Sequence, residues 1–488
     1  MAWEFYGRSR ELDELRAILR RGRWFFARIT GRRRIGKTSL IQQALRATTE
    51  RPLLYLQVPD SAPAGVLSSA ADAMDTFGIE AARFPRPASL RALASTIGDL
   101  ARAGFIIVLD EFQYFARERL HEFTSHLQAV VDDLARRAAT VPGGLFVLGS
   151  LHAELVALLE DRQAPLYNRT TDVIELDHLD VASVLEILHA HGGDDPERLL
   201  FLWNLFEGVP KFYRDCYEQG VLGAPREDLL RAMFFRSSSP LRGEADNWFL
   251  HELRGRYDVV LKYVARHPGC YHGDIDAHVR AVSPQDKPEQ VAGYLKILIE
   301  RYRMIEKRLP VFAKPNARKS RYYIRDNFLR AWLGSLANAV GAINFRPEST
   351  LVAQADARLH DAEGHGLERL VAVLYEERSR NAIGDFALTR RIDGFWDSAD
   401  TEIDLVAIDE AEERIRFGTC KRSEASLVAD FARLDGQVAR FVAAFPKYAR
   451  WTIEKVAIAP VLGRRARAKI HAQGYLAQDL EELTVGLR

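Results

Sequence analysis

The sequence predicts an α/β protein whose first part is built on a parallel sheet covered by helices on both faces. Two observations carry that reading. Short, continuously apolar strands recur ("RWFFARIT" at 23–30, "PLLYLQV" at 52–58, "FIIVLDE" at 105–111, "GLFVLGS" at 144–150), and amphipathic helical patterns separate them. Strands that are apolar on both faces need cover on both, which crossover helices of a parallel sheet supply. At 488 residues the chain exceeds one ordinary core, and about one domain per 150 residues implies roughly three.

From 179 to 244 the strands stop, and "VASVLEILHAHG" and "LLFLWNLFEGVPKFYRDCYEQG" read as a small helical unit, or lid. Residues 245–345 give three helical patterns, "YDVVLKYVARHPG", "HGDIDAHVRAV" and "QVAGYLKILIERYRMIEKR", and then "LPVFAKPNARKSRYYIRD", rich in proline and basic residues. Three helices followed by a hairpin is the order of a winged helix. Residues 346–488 open on the helix "HGLERLVAVLYEE", continue with strands near 386–396, 402–409 and 414–421, and end with a long helix after Ser423, the strand "KVAIA" and another helix.

A hydrophobic content of 47% with 28% charged residues excludes disorder and fibrous repeats. The 68 basic and 67 acidic residues leave a net charge of +1, so any attraction to nucleic acid or anionic membrane must be local. Cys216, Cys270 and Cys420 have neither disulfide-framework nor zinc-ligand spacing. "MAWEFYGRSR" lacks the apolar core of a signal peptide, and "FIIVL" at 105–109 falls far short of the about 20 residues needed to cross a bilayer. The expectation is a cytoplasmic protein with no membrane partner.

The string "GRRRIGKTSL" comprises Gly31, Arg32, Arg33, Arg34, Ile35, Gly36, Lys37, Thr38 and Ser39, then Leu40. It matches GxxxxGK[ST] between a strand and a helix, the context that a phosphate loop requires. Glycines let backbone N–H groups encircle phosphate oxygens, and the helix start adds partial positive charge. Lys37 neutralises the β- and γ-phosphates, and Thr38 offers a hydroxyl to Mg²⁺. Arg32, Arg33 and Arg34 lie at variable positions of the motif; a solvated basic loop is the plainer reading, with phosphate or nucleic-acid contact as the other. The strand "FIIVLDE" ends in Asp110, which can hold the magnesium through a water, and Glu111, which can polarise the attacking water.

With "FYGRSRELDEL" at 5–15, "DEFQYF" at 110–115, the strand ending "LGS" at 148–150, "APLYNRTTDVIEL" at 164–176 and "FEGVPKFY" at 206–213, the chain resembles the archaeal AAA ATPases, relatives of the STAND and origin-recognition ATPases. The resemblance implies a P-loop NTPase sheet with a helical lid, ATP and Mg²⁺ as cofactors, ATP hydrolysis, a winged helix and a C-terminal nuclease-like domain. It implies that Tyr6, Gly7 and Arg10 approach the adenine and ribose and that Ser150 is a polar sensor near the γ-phosphate. Arg169 stands where an arginine finger or sensor would offset transition-state charge, in the same subunit or in a neighbour of a homo-oligomer; a surface ion pair is the alternative. In "GVP" at 208–210 a proline replaces the basic sensor of other AAA proteins, so Lys211 is not given that role.

Between Arg301 and Arg325 stand nine basic residues, Arg301, Arg303, Lys307, Arg308, Lys314, Arg318, Lys319, Arg321 and Arg325, against Glu306 alone. On a third helix and wing such charges contact DNA phosphates, with Tyr322 and Tyr323 placed to pack on sugars. Winged helices also serve as protein-interaction modules; DNA is the expected partner.

The order of the last segment resembles the restriction-endonuclease-like fold of PD-(D/E)XK nucleases. That chemistry needs an acid on one strand, acid-x-lysine on the next, and often a helical glutamate, to gather Mg²⁺ and activate water. Asp404, Lys421 and Glu368 answer to these, but Thr419 stands where the second acid is expected and brings no negative charge. Glu402 leaves its strand on the same face as Asp404 and either compensates or faces solvent. A degenerate site, retained for DNA or protein contact, is expected. His365, with no partner histidine, reads as a helix-start residue. The function expected is an ATP-driven switch that couples nucleotide state to DNA engagement; the alternatives are an ATP-regulated DNA nuclease, such as one acting in defence against foreign DNA, and a STAND-like signalling ATPase that binds protein.

Overall fold

The computed structural model describes residues 2–48, 51–150, 152–244, 256–282, 288–314, 319–397 and 401–487. The chain divides into two compact units, Gly7–His178 and Leu179–Arg488, the latter joined by Met1–Tyr6.

The first unit is a five-stranded, all-parallel sheet of β1 (Phe26–Gly31), β2 (Leu53–Gln57), β3 (Ile106–Asp110), β4 (Gly144–Gly149) and β5 (Asp172–Leu176), in the order β2-β3-β4-β1-β5. Every residue of β3 and β4 is buried, as strands covered on both faces require. Strand β5 is not among the continuous apolar runs of the sequence: it is an edge strand of five residues that alternates exposed and buried positions and leaves Val173 49% exposed. The order places β4 between β1, which runs into the glycine loop, and β3, which ends in Asp110, so both chemistry-bearing strand ends flank the end of β4.

In the second unit, helices Val181–His191, Pro196–Phe206 and Pro210–Glu218 follow each other closely, two of them started by Pro in the first turn. Next come helices Arg256–Arg266, His272–Val282 and Pro288–Lys296, with β6 (Cys270–Tyr271), β7 (Ile305–Arg308) and β8 (Arg321–Ile324) forming an antiparallel sheet in the order β6-β8-β7.

The helix anticipated around 365–377 is far longer, running from Glu348 to Arg380. It binds the unit together. Glu377 accepts the N–H groups of Val181 and Ala182, both at 2.9 Å, and the fully buried Glu363 joins Arg226 and Arg422. Gly366 is required because a Cβ there would stand 2.3 Å from Asn204 Oδ1. A mixed sheet of β9 (Asp393–Trp396), β10 (Glu402–Asp409), β11 (Arg414–Cys420), β12 (Thr452–Ala459) and β13 (Leu476–Asp479) completes the unit. Its order is β13-β12-β11-β10-β9, antiparallel from β9 to β11 and parallel from β11 to β13.

Candidate active site

The loop after β1 is shaped by backbone sterics. Gly31 has φ +150°, and a Cβ there would lie 2.6 Å from the carbonyl of Leu176 on β5. Gly36 and Arg34 also have positive φ, 94° and 67°, which curls the chain back before the helix Lys37–Thr48. Ile35 is fully buried and pins the loop, while Arg33, Thr38 and Ser39 are exposed. Arg32 lies 3.4 Å from His178 Nε2.

Lys37 is buried and donates to the carbonyl oxygens of Gly31 and Arg32, both at 2.9 Å. Burial lowers its pKa to about 8, against the pull of Glu111 and Asp110. The Asp110 carboxylate accepts from Thr38 Oγ1 at 2.9 Å, from the Tyr55 hydroxyl and from the Glu111 N–H at 2.8 Å. Burial and the adjacent Asp110 raise the Tyr55 pKa well above that of a free phenol, so it stays a donor. Glu111 has φ 57°; its side chain accepts from Gln113 Nε2 and lies 3.4 Å from Ser150 Oγ, at the end of β4. Seven residues from four chain segments thus meet here: Lys37, Thr38, Tyr55, Asp110, Glu111, Gln113 and Ser150. Tyr55 and Gln113 escaped the sequence reading, since an alternating strand position and a residue after an acidic pair carry no chemical signal of their own.

Two expected members of the site are directed elsewhere. Arg10 is 84% exposed at its side chain and pairs with Glu14 at 3.2 Å along its own helix. It is Arg8, preceded by Gly7 at φ 64° and itself at φ 63°, that reaches the loop, with Nη2 3.4 Å from the carbonyl of Ile35 and 2.5 Å from that of Asp177. Arg169 forms a two-point ion pair with Asp132 at 2.7 and 3.0 Å. In the second unit, Tyr6 donates or accepts with His191 Nε2 at 2.7 Å and packs among Trp3, His191 and Tyr217.

The basic hairpin is not the open surface that its composition suggests. Arg308 pairs with Glu306 at 2.8 Å and lies over Tyr323. Arg321 pairs with Glu402 at 2.6 Å and lies over Trp396. Tyr322 and Tyr323 are buried, which removes them from any contact with sugars. The hairpin end is seated on the last sheet: Val311 N–H donates to Gly394 O at 3.0 Å, Trp396 Nε1 donates to Lys319 O at 2.8 Å, and the Phe312 ring packs 5.3 Å from both Phe445 and Tyr448. Arg301, Arg303, Lys307, Lys314 and Lys319 are exposed; Arg318 lies outside the described residues.

At the amino end of β10 and the carboxyl end of β11, which adjoin because the two strands are antiparallel, Asp404 Oδ2 accepts from Lys421 Nζ at 2.9 Å and Cys420 N–H at 3.0 Å, with Thr419 Oγ1 at 3.3 Å. The single proton of Thr419 is better directed to Asp430 Oδ2, 2.7 Å away. Asp430, which the sequence reading missed, looks like an ordinary helix cap before Phe431, yet makes no capping hydrogen bond; Arg433 holds it. Burial and the nearby Glu368 raise the Asp404 pKa to about 6, and burial with Glu402 raises that of Glu368 to about 7. Glu402 is instead lowered by its hydrogen bond from Arg321. Among the described residues no group of three or more His, Cys, Asp or Glu is placed to hold a metal ion. His365 is not at a helix start but well inside the long helix, stacked on Tyr323 at 5.1 Å.

Strand order, the loop after β1 and the acids after β3 fit a P-loop NTPase α/β fold. The chain is similar in fold to a Walker-type ATPase of Pyrococcus abyssi, with TM-score 0.51 and 19% identity over 67% of this chain and 96% of that one. The ORC2 protein of Aeropyrum pernix gives TM-score 0.46 and 16% identity over 73% of this chain and 95% of that one. In sequence, an uncharacterized protein of Methanocaldococcus jannaschii is 25% identical over 416 residues, 85% of this chain and 86% of the relative. No protein-family model matches the chain. No helix among the described residues is long and apolar enough to cross a membrane.

Proposed function

We propose that the protein binds and hydrolyses ATP at the loop 31–39 and uses the nucleotide state to control engagement of DNA by its second unit. The observation that carries this reading is the hydrogen bond from Thr38 Oγ1 to Asp110, with Glu111 and Ser150 alongside. It sets two hard oxygen donors beside each other at the mouth of an amide-lined loop, a donor set suited to Mg²⁺. Bound there, Mg²⁺ supplies charge neutralisation to the β- and γ-phosphates.

The protein's own groups do the rest. Backbone N–H groups of 31–37 receive phosphate oxygens, and Lys37 exchanges two carbonyl partners for phosphate. Asp110, fixed by Thr38 and Tyr55, orients the metal side of the site. Glu111, steadied by Gln113 and Ser150, accepts the proton of the attacking water. Wild type that hydrolyses ATP, with loss of turnover in Lys37→Ala, supports the reading; well-folded protein that takes up no adenine nucleotide in the presence of Mg²⁺ overturns it. DNA coupling is tested by comparing duplex affinity in ATP, ADP and nucleotide-free states.

Control of engagement is preferred to cleavage because Asp404 is already neutralised by Lys421 and Asp430 by Arg433. A winged helix in residues 245–345, a nuclease-like fold in 346–488, and assembly into homo-oligomers belong to the same proposal.

A further inference from the structure

The helix Arg464–Ala472 has the sequence RRARAKIHA, with four basic residues and no acidic one. Ala466 and Ile470, one turn apart, face inward and join the core beneath the last sheet. Arg467 turns back onto Asp479 at 2.5 Å and Glu482 at 2.9 Å. Arg464, Arg465 and Lys469 are exposed, and none of their side chains makes a hydrogen bond, ion pair or ring contact with any described residue.

This arrangement runs against local stability twice. Arginines in the first turn meet the positive end of the helix dipole, and like charges at 465 and 469 repel across one turn. Nearby carboxylates are committed elsewhere: Glu424 accepts the Gly463 N–H at 2.7 Å, and Asp479 and Glu482 hold Arg467. Unbalanced charge that breaks local rules marks a surface kept for a partner. The hairpin offers the contrast, since Arg308 and Arg321 are consumed by Glu306 and Glu402 and its end is seated on the last sheet.

We propose that the helix Arg464–Ala472, rather than the hairpin, is the principal surface on which the second unit receives the phosphate backbone of duplex DNA. The inference rests on the DNA-coupled reading above. Charge complementarity selects the occupant: Arg465 and Lys469 stand about 5–6 Å apart at their Cβ atoms, within reach of successive phosphates of a duplex that carries one charge per about 1.7 Å of axis. Binding is then independent of base sequence and steeply salt-dependent.

The experiment measures anisotropy of labelled duplex DNA with the full chain between about 50 and 200 mM salt. The variant is Arg464→Gln, Arg465→Gln, Lys469→Gln, with Arg465→Gln alone as the milder form should the triple variant fold poorly. The triple variant is expected to bind about tenfold or more weakly and to lose about 2–3 from the slope of log affinity against log salt, the single variant about 1. Thermal unfolding should hold or rise slightly, because the unfavourable first-turn charges and the 465/469 repulsion are relieved, and ATPase activity should stay unchanged. Unaltered affinity and slope, in a wild type that binds duplex, overturn the inference and leave the DNA reading standing. A wild type that binds no duplex at the lowest salt overturns both. Stronger competition by single-stranded RNA or an acidic protein than by duplex DNA overturns the choice of partner.

Discussion

The loop site of the first unit and the carboxylate cluster of the second contain the same residue types: a lysine, a threonine and an aspartate from neighbouring chain segments. They differ in where the lysine goes. Lys37 is bound by two carbonyl oxygens, and Asp110 receives neutral donors only. Lys421 instead lies 2.9 Å from Asp404, and Arg433 neutralises Asp430. A carboxylate held by hydroxyls and an amide keeps its charge for an incoming cation, whereas one already touching an ammonium has little left to offer. Residue content therefore does not define a metal-dependent site; the internal pairing of its charges does.

The largest test of this contrast is Glu111→Gln, expected to slow ATP hydrolysis by about 10²–10⁴-fold while nucleotide binding persists, read by single-turnover kinetics. An equal loss of turnover on Asp404→Asn would abolish the distinction between the sites. The lowered pKa of Lys37, about 8, gives a pH signature. Above that pH the free lysine loses its proton and must regain one to meet phosphate, so nucleotide affinity should fall by up to about tenfold per pH unit. Calorimetry in buffers of different ionisation enthalpy will show the proton uptake.

In the second unit, Asp404→Asn removes an ion pair but also a buried charge that the fold disfavours, so stability near pH 7 should change by less than about 1 kcal/mol in urea unfolding. A rise in unfolding midpoint with Mg²⁺ in wild type, lost in this variant, would show instead that the cluster takes a metal. Asp404 and Glu368 have folded pKa values raised to about 6 and about 7. The folded state thus binds their protons more tightly than the unfolded chain, and their contribution is present in acid and lost as pH rises through those values. Glu368→Gln should flatten that decline between pH 5 and 8. The smallest effect is expected from Arg10→Ala, within about 0.5 kcal/mol and without change in nucleotide affinity; Arg8→Ala, which frees the Ile35 carbonyl, should weaken binding more.

Four strands of the first sheet were legible because each is a continuous apolar run, and the glycine loop because its spacing is a backbone requirement. Gly31 and Gly36 must be glycine to hold their positive φ angles, and Lys37 follows from the helix start. Strand β5 lacks such a run: "DVIEL" carries two charged residues, and its alternation spans only five positions. Nor was Arg8 distinguishable from Arg10, or Asp430 from a helix cap.

The sequence by itself determined the local features: strand and helix periodicity, the loop that can ring a phosphate, the acids that end β3, and the missing charge at Thr419. Only the tertiary structure decided which charges stay available. Arg321 meets Glu402, Thr419 meets Asp430, and Lys421 meets Asp404 through packing of separate chain segments. Backbone geometry is fixed by neighbours in sequence, whereas an ion pair is chosen by distance in space, which no local pattern encodes.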